Sequence, residues 1–114
     1  MENNNTPHYP KGVYISLPMT GVDTAEIHRR IDLARQQIIA RGDIPIAPTD
    51  LSTPDTPYYT AMGYDISAII SDKVDMVLFL EGWEKSRGCR LEHATARIYG
   101  KEVDYQRPDE GCFP

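Results

Sequence analysis

Val74-Asp75-Met76-Val77-Leu78-Phe79-Leu80-Glu81-Gly82 is the stretch that decides the fold. Between Val74 and Leu80 only Asp75 is polar, and Gly82 ends the run. A short strand this apolar is covered on both faces, which is the situation of a parallel strand flanked by helices. The reading places it at the centre of a sheet. Downstream, Ser86 to Tyr99 reads as a helix with Leu91, Ala94, Thr95 and Ile98 on its buried side, closed by Gly100. A last strand follows near Glu102 to Tyr105.

Upstream the same alternation repeats. Val13, Tyr14 and Ile15 form a β-favouring run that stops at Pro18 and Gly21. Asp23 with Glu26 three residues on is a helix start, and Ile27, Ile31, Ala34 and Ile38 then share one face, with Gly42 as the stop. Ile44 to Ala47 is a second strand, and Pro48 to Pro57 a surface loop. Pro57 opens a helix that carries Tyr58, Met62, Ile66 and Ile69 inward. The order β-α-β-α-β-α-β, with right-handed crossovers, gives an α/β fold with a parallel sheet between helices. Residues 1–11 read as a disordered arm, 12–105 as one domain and 106–114 as a polar C-terminal tail.

A chain of 114 residues, 40% hydrophobic and 25% charged, suits a single domain. The longest unbroken apolar run, Met76 to Leu80, is far short of the ~20 residues that cross a bilayer. The start MENNNTPHYP does not have the form of a signal peptide, so no membrane partner and a cytoplasmic location are expected. A net charge of −5 argues against binding a nucleic acid polymer and favours a small-molecule partner. Cys89 and Cys112 assemble neither a disulfide framework nor a four-thiol zinc site, and both are read as reduced bystanders. His8, His28 and His93 are not spaced with carboxylates as a metal site requires, so neither a metal nor another cofactor is expected.

In a parallel sheet of this kind, ligands sit beyond the carboxyl ends of the strands where the strand order reverses. The segment after the third strand, Glu81-Gly82-Trp83-Glu84-Lys85-Ser86-Arg87-Gly88, is a polar turn entering a helix. Backbone N–H groups and the helix dipole suit an anion there, with Ser86 as an extra donor and Gly88 allowing close approach. The plainer alternative is that Ser86 caps the helix and Gly88 packs on the sheet. Glu92 can project along the cleft edge from the side of a helix whose Leu91 and Thr95 face the sheet, where its carboxylate suits a nucleophile or electrostatic stabiliser; otherwise it is solvated surface. Asp65 is a second carboxylate that could approach the same crevice, and otherwise a surface charge. Tyr14 is either core packing or a hydroxyl that orients a carboxylate. Trp83 is either an aromatic lid over a base or a partly buried anchor.

Taken together, Val13-Tyr14-Ile15-Ser16-Leu17-Pro18-Met19-Thr20-Gly21, Asp65, Asp75 to Trp83 and Ser86 to Glu92 resemble the nucleoside 2-deoxyribosyltransferase superfamily. Within it the likeness is to small bacterial and phage proteins with the same Tyr-Ile-Ser-x-Pro-Met-Thr-Gly opening and Gly-Trp-x-x-Ser turn, and also to 2′-deoxynucleoside 5′-monophosphate N-glycosidases. The resemblance implies a flavodoxin-like three-layer sandwich with about four to five strands, chemistry at an N-glycosidic bond, and a homo-oligomer. It implies Glu92 as the nucleophile, Asp65 as the acid that protonates the leaving base, and Tyr14 as the group that orients Glu92. Ser16, Pro18, Gly82, Trp83, Ser86 and Gly88 would bind the substrate. Transferases of free nucleosides carry an acid where Ser86 stands, which would repel a phosphate, so Ser86 tilts the expectation toward a nucleoside 5′-monophosphate. Two other classes stay open from sequence: a non-catalytic nucleotide-binding module, and a structural or partner-binding protein with an empty cleft.

Overall fold

The computed structural model describes residues 8–107. The elements run β1 (Gly12–Ser16), α1 (Thr24–Ala40), β2 (Ile44–Ile46), a 3-10 turn at Pro48–Asp50, α2 (Tyr58–Ile70), β3 (Met76–Phe79), a second 3-10 turn at Trp83–Lys85, α3 (Arg87–Ile98) and β4 (Glu102–Tyr105). All neighbours in the four-stranded sheet are parallel, in the order β2-β1-β3-β4. The chain moves from β1 outward to β2, then back across to β3, so the order reverses between β1 and β3. The crevice at the carboxyl ends of those two strands is therefore where an open α/β sheet receives ligands.

Alternation along β1 and β3 builds two cores. Val13, Ile15, Leu78 and Leu80 point to one face and pack with Ile27, Ile31, Ala34 and Ile38 of α1. Tyr14, Val77 and Phe79 point to the other, where Ile69 of α2 and Ala96 of α3 cover them. The result is the three-layer α/β sandwich of the flavodoxin-like type. Gly12 is required where β1 enters the sheet, because a Cβ there would lie 1.7 Å from the Lys73 carbonyl oxygen. Asp23 caps α1 by accepting from the Ala25 N–H at 3.2 Å, while Glu26 turns outward to an exposed ion pair with Arg29 instead of closing a capping box.

Two sequence expectations are corrected. On α3 the buried residues are Cys89, Glu92, Thr95 and Ala96, whereas Leu91 and Ile98 are 50% and 76% exposed and Ala94 is also exposed. The helix is turned by about one residue, roughly 100°, from the face that hydrophobicity selects. The bulky Tyr14 and Phe79 already fill the space above the sheet, so α3 lies against it with small side chains. On α2 only Asp65 and Ile69 are buried, and Tyr58 is largely exposed because the first half of the helix overhangs the crevice rather than the sheet. The surface loop after β2 contains the Pro48–Asp50 turn, fixed by Asp50, which accepts from the Ala47 N–H and from Arg35.

The ends of the described segment are held. His8 Nε2 lies 3.2 Å from both the Gly42 carbonyl and Asp43 Oδ1, and the Lys11 N–H donates to the same carboxylate oxygen. Gln106 donates its N–H to the Phe79 carbonyl and accepts from the Glu81 N–H through its side chain. Residues 1–7 of the expected arm and 108–114 of the expected tail, with Cys112, lie outside the described residues. Among the described residues, no helix is long and apolar enough to cross a membrane.

Candidate active site

β1 presents Tyr14 and Ser16 on one face because they are two residues apart. Both are fully buried, and both point toward α3. There, Glu92 accepts a hydrogen bond from Tyr14 Oη at 3.1 Å through Oε2 and one from Ser16 Oγ at 2.6 Å through Oε1. Glu92 is only 4% exposed, yet it forms part of the wall of a cleft of about 820 Å³. A helical glutamate sunk this deep is held by two hydroxyl donors that keep its carboxyl in one orientation.

Asp65 reaches the same cleft from α2. It is 6% exposed, and its Oδ1 is buried without a hydrogen-bond partner. Such an oxygen is costly to leave unsatisfied, so the position points to a group that arrives from outside the chain. Burial pushes the Asp65 carboxyl up to about 6, against the opposing influence of Tyr14 and Glu92. Burial likewise pushes Glu92 up to about 8; the Ser16 and Tyr14 hydroxyls work against this, and the Asp65 charge reinforces it. The two acids titrate as a pair, so near neutrality the pair holds about one proton. The Tyr14 phenol is driven well above its ordinary range by burial and by the two carboxylates. It therefore stays protonated and a hydrogen-bond donor.

One wall of the cleft is the start of α3. Ser86 caps the helix, its Oγ accepting from the Cys89 N–H at 3.2 Å, and it also lines the cleft, so its own O–H can donate to a ligand. The cap and the ligand donor, alternatives at the level of sequence, are compatible. Gly88 lines the cleft beside it. Lys85 and Arg87 flank this turn and are the cations among the lining residues, which places positive charge at the mouth of a cleft in a chain of net charge −5. Pro18 lines the facing loop after β1.

Other residues singled out in the sequence lie elsewhere. Ser16 stands behind Glu92 and does not line the cleft. Gly82, at φ 91°, turns the chain after β3 and packs near the Pro18 ring. Trp83 is an anchor: it stacks on His93 with ring centroids 4.4 Å apart and contacts Phe79 and Tyr105, with His93 Nε2 2.7 Å from Tyr105 Oη. Cys89, by contrast, is among the residues that line the cleft; it is buried, and burial pushes its thiol up. Among the described residues no group of three or more His, Cys, Asp or Glu side chains could hold a metal ion.

Sequence reasoning missed the α2 wall and the cations. Tyr58, Ala61, Met62 and Asp65 line the cleft as a single helical stripe. The spacing 58, 61, 62, 65 was visible, but its apolar members read as core. Lys85 and Arg87, part of the polar turn in the sequence and given no role there, line the cleft on either side of Ser86.

Among solved structures the chain is similar to a 2-desoxiribosyltransferase from Leishmania mexicana, at 19% identity and a TM-score of 0.65 over 84% of this chain. The match covers 63% of that protein, so the chain spans less than two thirds of its length. At this identity the likeness shows a shared fold. No curated protein matches the sequence. Residues 11–105 match the family described as Domain of unknown function (DUF4406), which takes in every element from β1 to β4, and the chain therefore belongs to that family.

Proposed function

We propose that this domain acts at the N-glycosidic bond of a 2′-deoxyribonucleoside 5′-monophosphate, with hydrolysis favoured over transfer. The observation that carries the reading is the buried Glu92 on the cleft wall, oriented by Tyr14 and Ser16, with Asp65 and its unpartnered oxygen in the same cleft. The fold shared with the Leishmania mexicana 2-desoxiribosyltransferase supports it. The Ser86–Gly88 turn, with Lys85 and Arg87 beside it, supplies donors and positive charge for a 5′-phosphate.

Glu92 is the weaker acid of the pair and holds the shared proton in the resting site; the reactive form is the minor arrangement, in which that proton has passed to Asp65 and Glu92 is the anion. A Glu92 oxygen attacks the anomeric carbon, the C–N bonding pair leaves with the base, and Asp65 delivers its proton to that base. Asp65, now a carboxylate, takes a proton from water as the water oxygen displaces Glu92 from the anomeric carbon. The products are the free base and the sugar 5-phosphate, and the proton is back on Asp65. Tyr14 and Ser16 remain donors to Glu92 throughout.

The reading includes a homo-oligomer. Leu91, Ala94 and Ile98 form an outward stripe on α3 that the described residues leave exposed, and a second copy would bury it. The deciding experiment is incubation with a panel of ribo- and deoxyribonucleoside 5′-monophosphates, scoring free base by chromatography. Release of base from a deoxyribonucleoside monophosphate is the expected result. Binding without release would make the domain a nucleotide-binding module, and absence of both would remove the reading.

A further inference from the structure

α2 and α3 pack side by side, and their first turns meet over the mouth of the cleft. Gly88, in the first turn of α3, shows how closely. A Cβ at that position would lie 3.3 Å from Met62 Sδ and 3.5 Å from Tyr58 Oη. The Tyr58 hydroxyl therefore lies against the first turn of α3 at Gly88, in the cleft that Lys85, Ser86 and Arg87 also line. Its ring meets the exposed Tyr59 ring edge-on, with centroids 5.4 Å apart. Tyr58 thus sets a phenol beside the helix start that carries the Ser86 hydroxyl.

From these contacts we infer that Tyr58 is a further ligand-binding residue, whose hydroxyl donates to the anionic group of the ligand held at the start of α3. The inference rests on the proposed function and deepens it at the phosphate end. Two features of α2 make the assignment specific. The stripe Tyr58, Met62, Asp65 runs along one helix face for seven residues, about 10 Å of axial rise. It carries a hydroxyl at one end, an apolar thioether in the middle and the unpartnered Asp65 oxygen at the other. On α3, Ser86 and Glu92 are offset in the same sense, six residues or about 9 Å apart, with the Glu92 side chain leaning back toward the helix N-terminus. The two helices therefore present matching polar ends to one ligand. Its anion faces Tyr58 and Ser86, and its reacting bond faces Asp65 and Glu92. Gly88, lacking a side chain, lets Met62 and Tyr58 of α2 come up against the first turn of α3 at the anionic end.

The test is calorimetric titration of the whole chain and of Tyr58→Phe with a deoxyribonucleoside 5′-monophosphate and with the matching nucleoside. The substitution keeps the ring and its contact with Tyr59, so circular dichroism should be unchanged. Loss of a hydrogen bond to a charged group should weaken monophosphate binding by about tenfold and leave nucleoside binding alone. A parent that prefers the monophosphate together with an unaltered Tyr58→Phe preference overturns the role of Tyr58 and leaves the phosphate site standing. Equal loss for both ligands also overturns it, since the ring would then be acting by shape. A parent with no preference for the monophosphate removes the phosphate site, and the role of Tyr58 with it.

Discussion

Ser16 Oγ donates to Glu92 Oε1 at 2.6 Å, joining the last residue of β1 to the second turn of α3 across 76 positions of sequence. Both groups are buried, and Tyr14 adds a second donor from the same strand face. The strand thus fixes the direction of a carboxylate that the helix supplies. A group buried in this way stabilises a function at the expense of the fold, since burial disfavours its charged form.

Glu92→Gln should separate the two effects. The amide keeps the shape but is no anionic nucleophile, so base release should fall by several orders of magnitude while monophosphate binding persists. Stability should move the other way. Both carboxyls hold their protons more tightly folded than unfolded, so the parent loses stability as pH rises from the ordinary carboxylate range through about 6 and about 8. The variant has shed the larger of these losses. Thermal melts at pH 9 should show it more stable than the parent by about 5 °C, with the gap closing near pH 4. A variant that is less stable at pH 9 would contradict the burial cost assigned to Glu92.

Base release should follow a bell-shaped pH profile. Below about 6 both acids are protonated and the nucleophile is lost; above about 8 both are ionised and the acid is lost. The maximum is expected near neutrality, and the limbs belong to the pair. Asp65→Asn should remove the high-pH limb with most of the rate. A rate still climbing at pH 9 would exclude Asp65 as the acid.

At the other end of the cleft, Ser86→Ala should weaken monophosphate binding by about ten- to a hundredfold and leave nucleoside binding nearly unchanged. Ser86→Asp should go further, because its carboxylate would face the phosphate. Added salt should narrow the preference of the parent for the monophosphate. Titration of both ligands at two salt concentrations measures all three, and equal affinities in the parent would return Ser86 to the role of helix cap.

The uncovered stripe on α3 gives a prediction about assembly. Leu91→Arg should turn a homo-oligomer into a monomer by light scattering at micromolar concentration, with the domain still folded, because Leu91 is half exposed among the described residues and belongs to neither core cluster. A parent that is already monomeric would remove the oligomer from the proposed function.

What the sequence determined by itself was local. Val74 to Leu80 is too apolar for a strand with a wet face, Gly42, Gly82 and Gly100 end their elements, and Ile27, Ile31, Ala34 and Ile38 keep strict helical spacing, so element order and the α/β class were legible. The Ser86 turn could be read as an anion site because its chemistry belongs to consecutive residues. The facing of α3 could not be read this way. Hydrophobicity put Leu91 and Ile98 inward, while the fold buries Cys89, Glu92 and Ala96, because Tyr14 and Phe79 had already taken the space above the sheet. The resemblance pointed to Tyr14 as a partner of Glu92, but only tertiary structure decided that Ser16 joins it as a second donor, that Asp65 keeps an unpartnered oxygen, and that Tyr58 lies against Gly88. Each is a contact between distant segments, and a helix face is chosen by the volumes of the side chains it meets, which no periodicity along one segment contains.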